Sequence, residues 1–261
     1  MDLRRAFSAI VSGGLVALLL VARAARADEV RVVTSGAFTA ACVRLVPEFE
    51  RTTGHKVLLT FGASMGSGPD TIPSRLARGE RVDVVILAAS SLDDLIEAGR
   101  VAAGSRVDLV RSRIGVAVRA GAPRPDISTV EALKRTLLRA RSIGYSSSAS
   151  GVYLTTELFP RLGIAAEIKD RLRQSTGAVG DLVASGEVEI GFQQISELLP
   201  VAGIDYVGPL PAEAQRETVF SAGLVAGAAA PQAARALVAF FTSPAAATAI
   251  AATGLEPIPP R

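Results

Sequence analysis

Residues 142–159 read SIGYSSSASGVYLTTELF: a short apolar run, a group of serines, then apolar residues at helical spacing. This order predicts a strand that turns directly into a helix. The first N–H groups of a helix have no partner within it and carry partial positive charge, so such a turn favours an anion. The hydroxyls of Ser147, Ser148 and Ser150 would add neutral donors. Serines at such a turn also serve as plain helix caps, which is their more frequent role.

Two further predicted strand ends carry small hydroxyl and glycine residues. Ser35 follows the apolar run 30–34, and residues 61–68 read FGASMGSG at the end of a second run. Strands that alternate with helices predict parallel sheets covered on both faces, whose ligands bind beyond the C-terminal strand ends. We therefore expect an α/β fold of two lobes, each a mostly parallel sheet flanked by helices. The three strand ends would face one another across a cleft.

The chain begins with the pattern of a secretory signal peptide at residues 1–27. Two arginines precede an apolar run at 10–22 and a small-x-small end at 25–27. The remainder divides into a first lobe (28–112), a second lobe (113–204) and a return to the first lobe (205–261), with chain crossings near 110–120 and 201–208. We expect an exported protein of the periplasm.

The net positive charge of the chain lies in the predicted signal peptide. Twenty-eight basic residues less Arg4, Arg5, Arg23 and Arg26, and 25 acidic residues less Asp2, leave 24 of each after the predicted signal. The remainder is thus neutral overall and has no basic stripe interleaved with aromatic residues. Nucleic acid is therefore excluded as a partner.

The sequence lacks the residues that metal sites and catalytic triads usually need. Cys42 and His55 are the only cysteine and the only histidine in the sequence. One of each cannot form an internal disulfide, a zinc-ligand cluster or a serine or cysteine triad with histidine. We expect no metal and no other cofactor.

Several pieces occur in an order that resembles a known family. They are FGAS at 61–64, RLARGE at 75–80, VDVVI at 82–86, SGVY at 150–153 and GF at 191–192. The chain after the signal resembles the periplasmic molybdate-binding proteins, which have the type 2 solute-binding fold of ABC importers. The resemblance implies a solute-binding protein that holds an anion with hydroxyls and backbone N–H groups, here Ser64, Ser150 and the neighbourhood of Thr176. Its partners would be the small anion and the membrane subunits of an importer, and we expect a monomer.

Departures from that family change the predicted ligand. The first-loop serine of the family falls on Ala37, its tyrosine before the last crossing falls on Gln194, and the second loop is longer by about residues 65–70. These changes favour a larger anion, a carboxylate over molybdate, because amide groups donate to carboxylates. Arg75 could supply charge or lie on a solvated helix face, and Tyr153 could donate to the ligand or pack within its helix. The predicted ligand-binding residues are Ser35, Ser64, Ser67, Ser148, Ser150, Tyr153, Thr176, Gln193 and Gln194.

An enzymatic alternative comes from a second resemblance. GASMG at 62–66, IPSRLARGE at 72–80, SASGVY at 148–153 and GFQQISELLP at 191–200 are similar to the periplasmic aconitate isomerases, which share this fold. The resemblance implies interconversion of cis- and trans-aconitate by an allylic proton shift, which needs a base close to the substrate carbon and no metal. Tyr153, Glu197 and a water-assisted serine remain open as that base. Glu197 also fits a helix surface, and the catalytic residue stays unknown at this level.

Overall fold

The computed structural model describes residues 27–66 and 68–259, and all but the last residue of the predicted signal peptide lies outside these ranges. The first sheet contains β1 (Glu29–Thr34), β2 (Lys56–Phe61), β3 (Val84–Ala88), β4 (Val107–Ser112), β10 (Thr218–Leu224) and β11 (Glu256–Pro257). Its strand order is β11-β4-β10-β3-β1-β2. β1 is parallel to β2 and β3, whereas β10 is antiparallel to β3 and β4 and β11 is antiparallel to β4.

The second sheet contains β5 (Ile114–Arg119), β6 (Ile143–Ser146), β7 (Leu172–Ser175), β8 (Ile190–Gln194) and β9 (Ile204–Pro209), in the order β7-β6-β8-β5-β9. β6 is parallel to β7 and β8, and β5 is antiparallel to β8 and β9. Both sheets are therefore mixed, where the sequence predicted mostly parallel ones. The antiparallel pairs arise because β4, β5, β9 and β10 carry the chain between the sheets.

The helices cover the two sheets. They are α1 (Gly36–Thr53), α2 (Ile72–Ala77), α3 (Ala89–Glu97), α4 (Val130–Arg139), α5 (Ala149–Tyr153), α6 (Phe159–Arg161), α7 (Ala165–Ile168), α8 (Val179–Ser185), α9 (Ile195–Leu198), α10 (Pro231–Phe241) and α11 (Pro244–Ala251). A π-helical turn, Leu154–Leu158, joins α5 to α6, and two 3-10 turns lie at Lys169–Arg171 and Ala212–Ala214. Among the described residues no single helix is long and apolar enough to cross a membrane, and only α10 and α11 taken together, 64° apart, have the length and composition.

Two large hydrophobic cores correspond to the two lobes. In the first, α1 and α10 pack on the sheet, and the rings of Phe38 and Phe241 meet edge to face with centroids 5.3 Å apart. The second is centred on Leu133, Phe159 and Phe192. Burial of such side chains is the main force that holds each lobe together.

The chain crosses between the sheets at two places. It leaves the first sheet after β4 and enters the second at Ile114, as expected near 110–120. It returns later than predicted, because β9 pairs with β5 and Ala214 is buried in the second core. The return falls between Ala214 and Thr218, so the boundary at 204/205 and the crossing at 201–208 are too early. An extended segment such as 204–209 does not show in its sequence which sheet it joins.

Candidate ligand site between the two sheets

A serine pair connects the lobes directly. Ser64, in the loop after β2, is fully buried, and its N–H donates to Ser148 Oγ in the second lobe over 3.2 Å. Ser64 Oγ accepts from the Ala88 N–H at 3.0 Å, at the end of β3. The Gly62 N–H donates to Thr34 O at the end of β1. The ends of β1, β2 and β3 therefore meet at the point where the second lobe makes contact.

The serine turn after β6 has the predicted form of a strand that leads straight into a helix. A Cβ at Gly151 would lie 1.6 Å from Ser146 O, so only glycine lets α5 begin so close to the strand. The Ser148 N–H donates to Ser146 Oγ at 3.1 Å, and Ser150 is buried in the first turn of α5. Ala149 packs against the core of the first lobe. The turn is thereby held against the facing lobe.

A buried hydroxyl without a partner lies at the start of α1. Ser35 precedes this 18-residue helix but makes no side-chain cap bond, although serine commonly does so. Its Oγ is buried and has no hydrogen-bond partner among the described residues. A buried polar atom of this kind costs stability unless a ligand or water binds it. The open N–H groups of the helix lie beside it.

Glu197 approaches the same helix end from the second lobe. α9 packs on α1, and Ser196 Oγ donates to Ala37 O at 2.8 Å. A Cβ added at Gly36 would lie 2.0 Å from Glu197 Oε2, so the carboxyl rests against the first residue of α1. Glu197 is therefore not a simple surface residue of its helix. Burial raises its pKa to about 7, against a smaller lowering by a hydrogen bond from Gln193.

The side-chain amides of Gln193 and Gln194 have different hydrogen-bond partners. Gln193 Oε1 accepts from the Val179 N–H at 2.8 Å, and Gln193 Nε2 donates to Glu197 Oε2 at 2.7 Å. Gln194 Oε1 accepts from Ser112 Oγ at 2.7 Å, which ties the end of β8 to the end of β4. Gln194 Nε2 is buried without a partner among the described residues. Gln193 thus orients Glu197, and Gln194 keeps a free donor.

The structure does not bring Arg75 to the residues around Ser64 and Glu197. Its guanidinium donates to the carboxylate of Glu80, to Phe61 O at 2.7 Å and to Thr60 Oγ1 at 2.9 Å, all in the first lobe. Its side chain is only 12% exposed. Arg75 therefore joins α2 to the end of β2. Both interpretations offered by the sequence are wrong: Arg75 neither supplies charge to the ligand nor lies on a solvated helix face.

The hydroxyl of Tyr153 is also held away from the residues around Ser64 and Glu197. Its ring is buried in the second core, and its hydroxyl donates to Ala214 O at 2.8 Å and accepts from Arg161 Nη2 at 3.1 Å. The guanidinium of Arg216 lies 4.7 Å from the ring centroid. Of the two interpretations offered by the sequence, the packing one agrees with these contacts.

Thr176 lies at the margin of the site. Thr176 is exposed in the bend after β7, next to Ser175, whose carbonyl accepts from the Ser147 N–H at 2.8 Å. Ser67 lies outside the described residues. We call the group formed by Ser35, Gly36, Ser64, Ser148, Gln193 and Glu197 the interlobe cluster. Gly36 is absent from the sequence-based set and Glu197 entered it only as one of three possible bases, because only their packing across the lobes reveals them.

A second carboxylate near a helix start lies at the other end of the first sheet. Asp83 is buried and accepts from the N–H groups of Arg31 at 2.8 Å, Ala229 at 2.6 Å and Ala230 at 3.1 Å. Ala230 is the residue before α10, so Asp83 fixes the start of this helix. It lines a groove of about 500 Å³ that contains no member of the interlobe cluster.

Two mixed α/β lobes that meet at serine-rich strand ends define the class of bacterial solute-binding folds. Residues 30–256 match the family model described as bacterial extracellular solute-binding protein, and the chain belongs to this family. It is 46% identical over 229 residues to an aconitate isomerase of a Pseudomonas species, with 87% of each chain covered. It is 28% identical over 182 residues to the molybdate-binding protein ModA of Azotobacter vinelandii, with 69% of each covered.

A solved structure agrees with these sequence relatives. The periplasmic molybdate-binding protein of Azotobacter vinelandii superimposes with a TM-score of 0.72 at 22% identity, covering 89% of this chain and all of that one. The resemblance predicted from the sequence and the two-lobed α/β fold are thus confirmed.

Proposed function

We propose that this protein binds aconitate between its two lobes and interconverts the cis and trans isomers. The relative named aconitate isomerase, 46% identical over 87% of both chains, supports the choice of substrate. The observation that carries the proposal is the pair of buried groups without partners, Ser35 Oγ and Gln194 Nε2. They lie on different lobes, as donors for a ligand enclosed by both would.

The chemistry of the site suits a carboxylate. Hydroxyl and amide groups donate to carboxylate oxygens, and the open end of α1 adds backbone N–H groups and a partial positive charge. No arginine or lysine belongs to the interlobe cluster, so neutral donors and the helix end supply the recognition.

A tetrahedral oxyanion fits less well. The resemblance to the molybdate-binding proteins expects hydroxyls at Ala37 and Gln194, and neither residue has one. Gln194 still offers an amide donor, but Ala37 offers none. The lost hydrogen bond to a charged group costs about 1.5–3 kcal/mol, which weakens binding by roughly one to two orders of magnitude.

A receptor role without turnover is the second candidate. The family match favours it, because extracellular solute-binding proteins of this fold include the substrate-binding domain of a putative molybdenum ABC transporter from Clostridium difficile. In this role a monomer in the periplasm, exported by the segment 1–27, would close around a di- or tricarboxylate and present it to an importer. Closure would be a hinge motion at the two crossings.

One set of measurements separates the two candidates. The protein is incubated at catalytic ratio with trans-aconitate, and the proton spectrum is followed for conversion to the cis isomer. Isothermal titration with cis- and trans-aconitate, citrate, sulfate and molybdate is run in parallel. Conversion supports the isomerase, and binding of a carboxylate without conversion supports the receptor. Tight binding of molybdate with no response to any carboxylate contradicts both.

A further inference from the structure

We propose that Glu197 is the catalytic acid–base group of the isomerisation and that Gly36 and Gln193 position its carboxyl. This inference rests on the proposed function and names the residue that performs it. In the step, the carboxylate removes a proton from the methylene carbon of aconitate, and the electron pair of that C–H bond forms a double bond to the central carbon. The original double bond opens, and the same proton equivalent is delivered to the former vinylic carbon. Nothing is oxidised or reduced.

The placement of the carboxyl carries the inference. It projects from α9 of the second lobe onto the first residue of α1 in the first lobe, with Oε2 only 2.0 Å from where a Cβ of residue 36 would be. Gln193 Nε2 holds Oε2 at 2.7 Å. Within the described part of the chain no group donates to Oε1. One oxygen is thus fixed and the other is available to a substrate carbon.

The surroundings suit proton transfer. The groups in contact with the carboxyl are uncharged: Gly36 at the start of α1 and Gln193 at the end of β8. Burial raises the pKa of Glu197 to about 7, so both protonation states are accessible near neutral pH. The N–H groups at the start of α1 can stabilise the negative charge that spreads onto a substrate carboxylate when the proton leaves.

The other two bases that the sequence left open are less suitable. The Tyr153 hydroxyl is committed to Ala214 O and lies in the second core. Serine hydroxyls need an adjacent base to accept a proton, and Glu197 is the ionisable member of the interlobe cluster.

The main test replaces the carboxyl by an amide of the same shape. Glu197→Gln should lower kcat for trans-aconitate by about 10²–10⁴-fold, the usual contribution of a positioned acid or base. Titration with trans-aconitate should show affinity equal to or tighter than that of the wild type, because the amide resembles the protonated acid and removes a repulsive charge. Glu187→Gln, the same change on an exposed glutamate of the second lobe, should leave kcat unchanged.

A second variant moves the carboxyl without deleting it. Gly36→Ala places a methyl group where Oε2 now lies, so the side chain of Glu197 must shift. Alanine is favourable in a helix, so α1 itself should not be weakened. We expect kcat to fall at least tenfold with the melting temperature unchanged or raised.

The outcomes separate this inference from the proposed function. Turnover by the wild type that persists within threefold in Glu197→Gln overturns the inference and leaves the isomerase intact. Absence of turnover by the wild type overturns both. Loss of turnover in Glu197→Gln with trans-aconitate still bound, together with a slowed Gly36→Ala, supports the assignment.

Discussion

Two carboxylates of this protein lie at helix starts, and they are bonded very differently. Asp83, packed against the start of α10, accepts from three backbone N–H groups. Glu197, against the first residue of α1, accepts from the single side-chain amide of Gln193. The first carboxylate is saturated within its own lobe, whereas the second crosses between lobes and keeps an oxygen free.

The difference shows that the position of a carboxylate at a helix start does not by itself reveal its role. A helix start attracts any carboxylate, but the hydrogen bonds decide what the carboxylate does there. A carboxylate with several N–H donors stabilises the fold, whereas a buried carboxyl group with few donors has a raised pKa and can exchange a proton. The variants below test this contrast, beginning with the largest expected effect.

Asp83→Ala should reduce the free energy of unfolding by about 3–5 kcal/mol. The change leaves three N–H groups without their acceptor, and each buried donor so exposed costs about 1–3 kcal/mol before water compensates in part. Urea unfolding followed by circular dichroism measures the loss. As a control, Asp93→Ala removes only the exposed pair with Arg106 and should cost less than about 1 kcal/mol. Equal effects of the two variants would remove the basis of the comparison.

Glu197→Gln should change stability in the opposite direction. The pKa of Glu197 rises from its ordinary 4.5 to about 7 in the folded protein. The folded state therefore holds a proton that the unfolded state releases between these values, and wild-type stability falls as the pH rises through this window. At about 1.4 kcal/mol per pH unit, the variant should be more stable than the wild type by up to about 3 kcal/mol at pH 8.

The same variant should show almost no difference from the wild type near pH 4.5, where both chains carry a neutral group at this position. Thermal unfolding at pH 4.5, 6 and 8 gives the comparison directly. A variant that is less stable than the wild type at pH 8 would show that the ionised carboxylate is well bonded, as Asp83 is. Gained stability combined with lost turnover is the usual mark of a functional residue.

Two serines extend the contrast to uncharged groups. Ser243 Oγ caps α11 by accepting from the Ala246 N–H at 3.3 Å, whereas Ser35 Oγ before α1 has no partner among the described residues. Ser243→Ala should lower stability by about 1 kcal/mol and leave the binding of aconitate unchanged. Ser35→Ala should leave stability unchanged or slightly raised, and should weaken aconitate binding by about tenfold or more.

Urea unfolding and calorimetric titration on both serine variants provide the test. If Ser35→Ala destabilises the protein as much as Ser243→Ala does and binds aconitate normally, Ser35 is a cap and not part of the ligand site.

The sequence predicts the fold more completely than it predicts the ligand site. The alternation of apolar strands and helices, and the serine turn at 146–151, depend on local patterns. These predict the two-lobed fold and strand ends that face one another, and the hydrogen bond from Ser64 to Ser148 agrees with that arrangement. The return crossing was misplaced because the pattern of β9 is equally suitable for either sheet.

The site residues depend on contacts between distant parts of the chain. Arg75 resembles a surface arginine, and its bonds to Glu80 and Phe61 appear only once β2 and α2 are packed. Gln193 was predicted as a ligand donor, but its amide joins Val179 to Glu197. Periodicity indicates which side chains are buried, and not which partner each polar group finds.

The smallest expected effect tests Gln193 as the residue that positions Glu197. Its hydrogen bond lowers the pKa of Glu197 against the larger effect of burial, so Gln193→Met should raise that pKa further. A base acts in its ionised form, so the fall of kcat/KM on acidification should begin at a higher pH in the variant. Activity relative to wild type should therefore be lower at pH 6 than at pH 8.5, which a pH series of the proton-spectrum assay measures. A uniform loss at all pH values would mean that Gln193 supports the fold through Val179 alone. A shift to lower pH would mean that the hydrogen bond from Gln193 does not lower the pKa of Glu197.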